Sequence, residues 1–343
     1  MKHPPLAADH IDAPHREFAL GDLRLASGEA IVDYRQSYVT HGTLNADRSN
    51  AILVCASLSG THHRIDFLIG PGKALDPSRW FIVATDPIGN GLSTSPSNST
   101  AQPGMRFPRF ALRDMVEAQH RLLVEHLGIG LLHAVVGASM GGMQALQWAV
   151  SHPRFMTVVV AMTPMARTSP WAALVTEAAR SCLMADPAWT GDGFSADPER
   201  GRRAFAAVMS ALLTRTPEAM AHLQSVEQAH RWFDALLAQQ QAIGVDAHDY
   251  LYQSWAYDAH DVGESEGFDG NTEAALGAVL ARTLVLCPPI DLFNPSAAGR
   301  AAAAAIPGAH FVEIPSVQGH MAATSLMPDD AVFLNRAIGE FLG

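Results

Sequence analysis

Short, nearly continuous apolar runs punctuate the first half of the chain at 51–55 (AILVC), 80–85 (WFIVAT) and 131–136 (LLHAVV). Runs of this length, bounded by turn residues, predict strands buried on both faces. Between the second and third run the period changes. In RDMVEAQHRLLVEHLGI, the residues Met115, Val116, Gln119, Leu122, Leu123 and Leu127 fall at helical spacing. They predict an amphipathic helix of about four turns, closed by Gly128. From about Pro164 to about 275 the pattern is helix-rich, without convincing strands, and carries Trp171, Trp189, Trp232 and Trp255. Strand-like runs then resume at 283–287 (TLVLC) and 310–314 (HFVEI), and a last helix is expected over about 329–342. Apolar strands alternating with helices imply an α/β architecture with a mainly parallel sheet flanked by helices. The expected organisation is one core, 1–164 and 276–343, interrupted by a helical cap over 165–275.

Composition narrows this picture. Of 343 residues 48% are hydrophobic, enough for a packed core. A formal net charge of −11 without basic runs argues against a nucleic-acid or anionic-membrane surface. Cys55, Cys182 and Cys287 are odd in number, far apart and form no C-x-x-C pair, so a reducing compartment is the simplest reading. The N-terminal stretch MKHPPLAADHIDAPH lacks the apolar segment of a signal peptide, and no apolar run reaches transmembrane length. A cytoplasmic protein is expected.

The chemistry-bearing segment is HAVVGASMGGMQALQWA. An apolar strand runs into Gly137-Ala138-Ser139-Met140-Gly141, and a helical pattern follows. This is G-x-S-x-G between strand and helix, the nucleophile elbow of the α/β-hydrolase fold. The turn is so tight that side chains at 137 and 141 would collide with backbone, and Ser139 should adopt strained dihedrals. A serine hydroxyl needs a base within hydrogen-bond reach. On this fold the order along the chain is serine, acid, histidine. The loop after strand 283–287, PPIDLFNP, offers Asp291, and the loop after 310–314, PSVQGHMAA, offers His320. An oxyanion hole needs two backbone donors. The expected pair is the N–H of Met140 and, from the loop Cys55–Gly60, that of Leu58.

Other signals carry less. GPGK at 70–73 lacks the first glycine and the Ser/Thr of a phosphate loop, since Phe67 and Ala74 occupy those positions. GNG at 89–91 has Thr94 in place of a third glycine. The pair His62-His63 has no Cys or carboxylate at a recognised metal spacing, so no metal and no bound cofactor are expected.

Taken together, GPGKALDPSRWFIV, FALRDMVEAQHRLL, GASMGGMQALQWA, EAARSCLMADPAWTGDGF and the late DLFNP and GH segments resemble the homoserine O-acetyltransferase group of the α/β-hydrolase superfamily. The resemblance covers nearly the whole chain. It implies a serine that takes an acyl group from acyl-CoA and passes it to the homoserine hydroxyl, with the triad on Ser139, Asp291 and His320. It also implies a substrate-binding arginine at Arg180 and a homodimer through the cap. Three positions depart from the family. The residue after the histidine, an aspartate that holds the homoserine amine, is Met321. The oxyanion loop reads Ala56-Ser57-Leu58 rather than His-Ala-Leu, and the acid loop reads Asp291-Leu-Phe-Asn-Pro rather than Asp-x-Leu-Phe-Pro. Losing the aspartate removes a charge-assisted bond of roughly 1.5–3 kcal/mol to an acceptor amine.

Three functional readings follow. The first is an esterase of small acyl esters working through an acyl-Ser139 intermediate. The second is an O-acyltransferase using acyl-CoA as co-substrate, with homoserine or another small alcohol as acceptor. The third is a non-catalytic binding protein on the same fold.

Overall fold

The computed structural model describes residues 13–343. The absence of a signal segment expected at the N-terminus, and the start of the core at residue 1, fall outside the described residues. The apolar runs form the middle of one eight-stranded sheet, ordered β1-β2-β4-β3-β5-β6-β7-β8. Strands β1 (Arg16–Arg24) and β2 (Ala30–His41) form an antiparallel hairpin, and β2 pairs antiparallel with β4. Strands β3 (Ala51–Cys55), β4 (Phe81–Thr85), β5 (Leu132–Ala138), β6 (Met156–Met162), β7 (Arg282–Cys287) and β8 (His310–Glu313) run parallel.

Parallel strands need crossovers, and helices supply them. The α-helices are α1 (Leu112–Arg121), α2 (Met140–Ser151), α3 (Pro170–Met184), α4 (Glu199–Phe205), α5 (Val226–Ile243), α6 (Ala247–Asp258), α7 (Thr272–Gly277), α8 (Ser296–Ala305) and, after the last strand, α9 (Pro328–Leu342). The predicted helix at 112–127 is α1 continued by a wider turn over Leu122–His126. Its first turn is held by Asp114, whose carboxylate accepts from the N–H groups of Ala111 (2.7 Å) and Ala26 (2.8 Å). One face of the sheet packs Leu53 and Val135 against Val116, Leu123, Leu146 and Trp148. The other packs Val54 and Val136 against Leu68, Leu334 and Ile338. Each fully buried aliphatic side chain there contributes about 1.5–3 kcal/mol.

A third apolar cluster joins the cap to the core. Ala172, Val175, Ala179 and Leu183 of α3, with Tyr250 and Tyr257 of α6, meet Met140 and Met143 at the start of α2. The cap therefore sits directly over the end of β5. Val262, Ala275 and Leu276 join the core cluster with Trp148, because the helical turn Val262–Glu264 and α7 lead the chain into β7. Among the described residues, no helix is long and apolar enough to cross a membrane.

Asp249 of α6 is fully buried, and its carboxylate accepts from Ser97 N–H (2.9 Å) and Ser97 Oγ (2.6 Å). Burial, reinforced by neighbouring Asp246, pushes its pKa up to about 7, against the opposing Ser97 bonds. The folded state thus holds a proton that the unfolded chain releases near pH 4. Stability is fully present below that pH and falls as pH rises towards 7. Asp249→Asn, which can still bond Ser97, should melt higher than wild type at about pH 8. The gain, on the order of 2–4 kcal/mol, should vanish near about pH 4. Thermal melts across that range check it.

Candidate active site

Strand β5 ends at Ala138, and α2 begins at Met140, leaving Ser139 alone to make the turn. Its dihedrals are φ 57° and ψ −123°, the strained conformation that the steric argument expects. The turn is fixed at both ends. Ser139 N–H donates to Met162 O (2.9 Å) on β6, and its carbonyl accepts from Met143 N–H (2.9 Å). A Cβ on Gly137 would lie 2.2 Å from Gly141 O, and one on Gly141 would lie 2.2 Å from Cys55 O. Both positions therefore require glycine for space.

The serine hydroxyl meets the imidazole that the sequence order selects. His320 Nε2 lies 2.8 Å from Ser139 Oγ, and His320 Nδ1 lies 2.7 Å from Asp291 Oδ2. All three are buried, with Ser139 only 3% exposed. The other oxygen of Asp291 accepts from the N–H groups of Phe293 (2.8 Å) and Asn294 (2.9 Å). Its orientation is thus set by its own loop. The tautomer that places a proton on Nδ1 leaves Nε2 free to accept from Oγ. The arrangement can move a proton from Oγ to His320 while a carboxylate steadies the cation.

The loop after β3 lies against the same turn. Ser57 Oγ donates to Ala138 O (2.7 Å), and Gln144 Nε2 donates to Ala56 O (3.0 Å), tying the loop to α2. Gln144 is itself held by Gln119 (2.7 Å), which also accepts from Trp148 Nε1 (2.7 Å). The N–H of Leu58 has no acceptor among the described residues. That of Met140, first in α2, lies outside the helix ladder. Both N–H groups are thus without a protein acceptor among the described residues.

The cavity above the serine has a volume of about 490 Å³ and is lined by Ser139, His320, Leu58 and Met321, with cap residues closing it. Arg180 is not among the lining residues. Its guanidinium bonds Glu177 (2.6 Å), Asp258 (2.7 Å) and Ser254 (3.2 Å) within the cap. With two carboxylates on it, the charge is already neutralised.

Several residues around the site have no signature in the sequence. Tyr257 stacks on Phe293, with ring centroids 5.4 Å apart, and Phe293 packs edge-on against His320 at 5.0 Å. The Tyr257 hydroxyl donates to Asn294 Oδ1, and Asn294 Nδ2 donates to Thr163 O (2.7 Å). Burial holds the Tyr257 hydroxyl protonated well above its ordinary range, with the Asp291 charge adding to this. The asparagine of the acid loop thus pins that loop to the segment just after β6. Residues 24 apart meet at Asp86, whose Oδ2 is 2.9 Å from His62 Nδ1 and 3.3 Å from His15 Nε2. Sequence spacing showed no carboxylate beside His62, but the sheet supplies one. Burial opposes ionisation of Asp86, yet bonds from His15, His62 and Ser37 outweigh it and hold its pKa well below the carboxylate range. His63, by contrast, lines the cavity and bonds Asp66.

Comparisons with known proteins agree with this architecture. Residues 50–323 match the family model described as alpha/beta hydrolase fold. A probable esterase of Corynebacterium glutamicum is 35% identical over 324 residues, covering 91% of this chain and 90% of that protein. A homoserine O-acetyltransferase of Mesorhizobium japonicum is 33% identical over 370 residues, covering 97% and 94%. The solved structure of an acetylester hydrolase from Corynebacterium glutamicum superposes with a TM-score of 0.87 at 32% identity, over 96% of each chain.

Proposed function

The chain belongs to the homoserine O-acetyltransferase-like group of the α/β-hydrolase family, and from that premise we propose that it is a serine esterase of small acyl esters. The observation that carries the reading is the unbroken chain Ser139 Oγ–His320–Asp291, with bonds of 2.8 and 2.7 Å. Ser139 Oγ attacks the ester carbonyl while His320 Nε2 takes its proton. Asp291 fixes the imidazole and stabilises the imidazolium. The developing alkoxide accepts from Met140 and Leu58 N–H. As the tetrahedral adduct collapses, the C–O bond to the alcohol breaks and His320 returns the proton to the leaving oxygen. Water then attacks the acyl-Ser139 ester, losing its proton to His320, and the carboxylic acid and free serine result.

Water is favoured over homoserine as the second nucleophile by two features of the site. Met321 gives the cavity an apolar surface where the family holds the acceptor amine. Arg180, the family's carboxylate ligand, is occupied by Glu177 and Asp258. The transferase reading is supported by the Mesorhizobium relative, which carries that name over nearly the full chain. Acyl-CoA would then be donor. A dimer through the cap belongs to the same family expectation. Acetate release from p-nitrophenyl acetate should proceed at a rate independent of added homoserine, with no O-acetylhomoserine formed. Homoserine-dependent acetyl transfer exceeding hydrolysis would replace the esterase reading with the transferase one. In Met321→Asp, partition of the acyl group towards homoserine should rise, by up to about tenfold if the restored charge-assisted bond forms.

A further inference from the structure

The chain is acidic overall, with a net charge of −11. The cavity over Ser139 reverses that sign. It is lined by Arg64, Arg202 and Arg215, against the single carboxylate of Asp246. Arg202 is paired with Asp197 at 2.5 Å. Arg64 and Arg215 have no carboxylate partner among the described residues. Arg64 Nε donates to Ser57 Oγ (3.2 Å), and its two Nη groups have no protein acceptor among the described residues. Arg215 donates to Ser210 O and rests over the Trp232 ring at 5.2 Å. Burial disfavours the charged form of both, and no neighbouring anion counters it.

Arg215 is buried and Arg64 half-buried, and a guanidinium drawn out of water is normally paired with an anion. Two such groups in one largely apolar cavity are the feature of a site whose anion arrives with the ligand. Their placement points the same way. Arg64 holds Ser57, which holds the carbonyl of Ala138 beside the serine and precedes the oxyanion donor Leu58. Arg215 follows Thr214, whose carbonyl accepts from Met321 N–H (3.3 Å) next to His320. Both arginines are therefore built into the segments that frame the reacting groups. The guanidinium fork, moreover, matches a planar carboxylate.

We propose that this cavity is a carboxylate-binding site, and that the ester it cleaves bears a free carboxylate held by Arg64 with Arg215. The inference rests on the esterase reading for the word ester, but the binding site stands on the arginines alone. The carboxylate can belong to the acyl part, as in a half-ester of a dicarboxylic acid, or to the alcohol, as in an acetylated hydroxy acid. One cation cluster serves both, and substrate pairs separate them.

Two pairs of similar shape suffice: monoethyl glutarate against ethyl pentanoate, and 4-acetoxybutanoate against pentyl acetate. Product release is followed in wild type, Arg64→Gln, Arg64→Lys and Arg215→Gln. Wild type should prefer the charged member of one pair by about tenfold or more in kcat/KM, and the pair that shows it identifies the carboxylate's position. Arg64→Gln, which can still donate to Ser57, should lower that preference about ten- to hundredfold, chiefly through KM. Arg64→Lys should retain part of it. In parallel, calorimetry with glutarate on Ser139→Ala should detect binding that Arg64→Gln, added to that background, abolishes. Cleavage of neutral and charged esters alike, with no glutarate binding, would overturn the inference and leave the esterase reading intact. Glutarate binding lost in Arg64→Gln, with no ester cleaved by wild type, would overturn the esterase reading and leave the carboxylate site standing.

Discussion

Ser139→Ala abolishes ester hydrolysis, with kcat reduced on the order of 10⁴–10⁶-fold, and leaves the fold intact. The contrast follows from where the hydroxyl is placed. Its oxygen bonds His320 Nε2 at 2.8 Å, while the turn itself is held by backbone bonds to Met162 and Met143. Removing Oγ therefore deletes the nucleophile without loosening the elbow. The strained φ of 57° is forced by β5 and α2 on either side, and alanine inherits it. Steady-state hydrolysis of p-nitrophenyl acetate and a thermal melt read the two halves of the expectation separately. A melting temperature close to wild type, with activity at background, is the expected result.

Gly141→Ala loses both activity and stability. Helix propensity alone would favour alanine in the first turn of α2 by about 1 kcal/mol. Sterics decide otherwise. The added Cβ would stand 2.2 Å from Cys55 O and 3.2 Å from Ala56 O, and both are backbone atoms that cannot rotate away. To relieve the overlap, α2 and the loop after β3 must part by about 1 Å, since ordinary contact begins near 3.4 Å. That movement separates the N–H of Met140 from that of Leu58, the two donors of the proposed oxyanion hole. Overpacking of this kind costs typically 1–3 kcal/mol. Losing one oxyanion donor costs roughly 10²–10³ in kcat. A fall in kcat larger than the fall in stability explains, measured alongside a melt, would identify the donor geometry as the cause.

The parts of this molecule that were legible in its sequence are those in which one segment states its own environment. Strands β3, β4, β5 and β7 are predominantly apolar because helices cover both faces, so each announces itself within a few residues. Helix α1 shows its buried stripe through Met115, Val116, Gln119, Leu122 and Leu123. Ser139, Asp291 and His320 follow from a turn motif and from chain order, and the fold places them in one hydrogen-bonded line. The hairpin β1–β2 was not legible, since edge strands carry polar residues such as Asp33, Arg35 and Gln36 among their apolar ones. Strand β6 is masked in the sequence because MTVVVAM stands directly between the helix after the serine and the helix-rich cap.

Contacts made across the fold were invisible for a different reason. Asp86 meets His62 only because β4 delivers it there. Asn294 reads as a tolerable departure from the family's loop until Tyr257 and Thr163 are seen on its side-chain amide. Arg180 reads as an available cation until Glu177 and Asp258 are found on it. Arg64 carries no motif at all, and its meaning lies in the carboxylate that is missing from its surroundings.

The central claim is that Ser139 carries the acyl group between donor and water. Rapid-quench mass spectrometry during turnover of p-nitrophenyl acetate tests it directly. A single acetyl group should appear transiently on the peptide containing Ser139 and decay to acetate. The same peptide in Ser139→Ala should stay unmodified. Turnover by wild type with no acetyl group on that peptide, or undiminished turnover by Ser139→Ala, would contradict the claim.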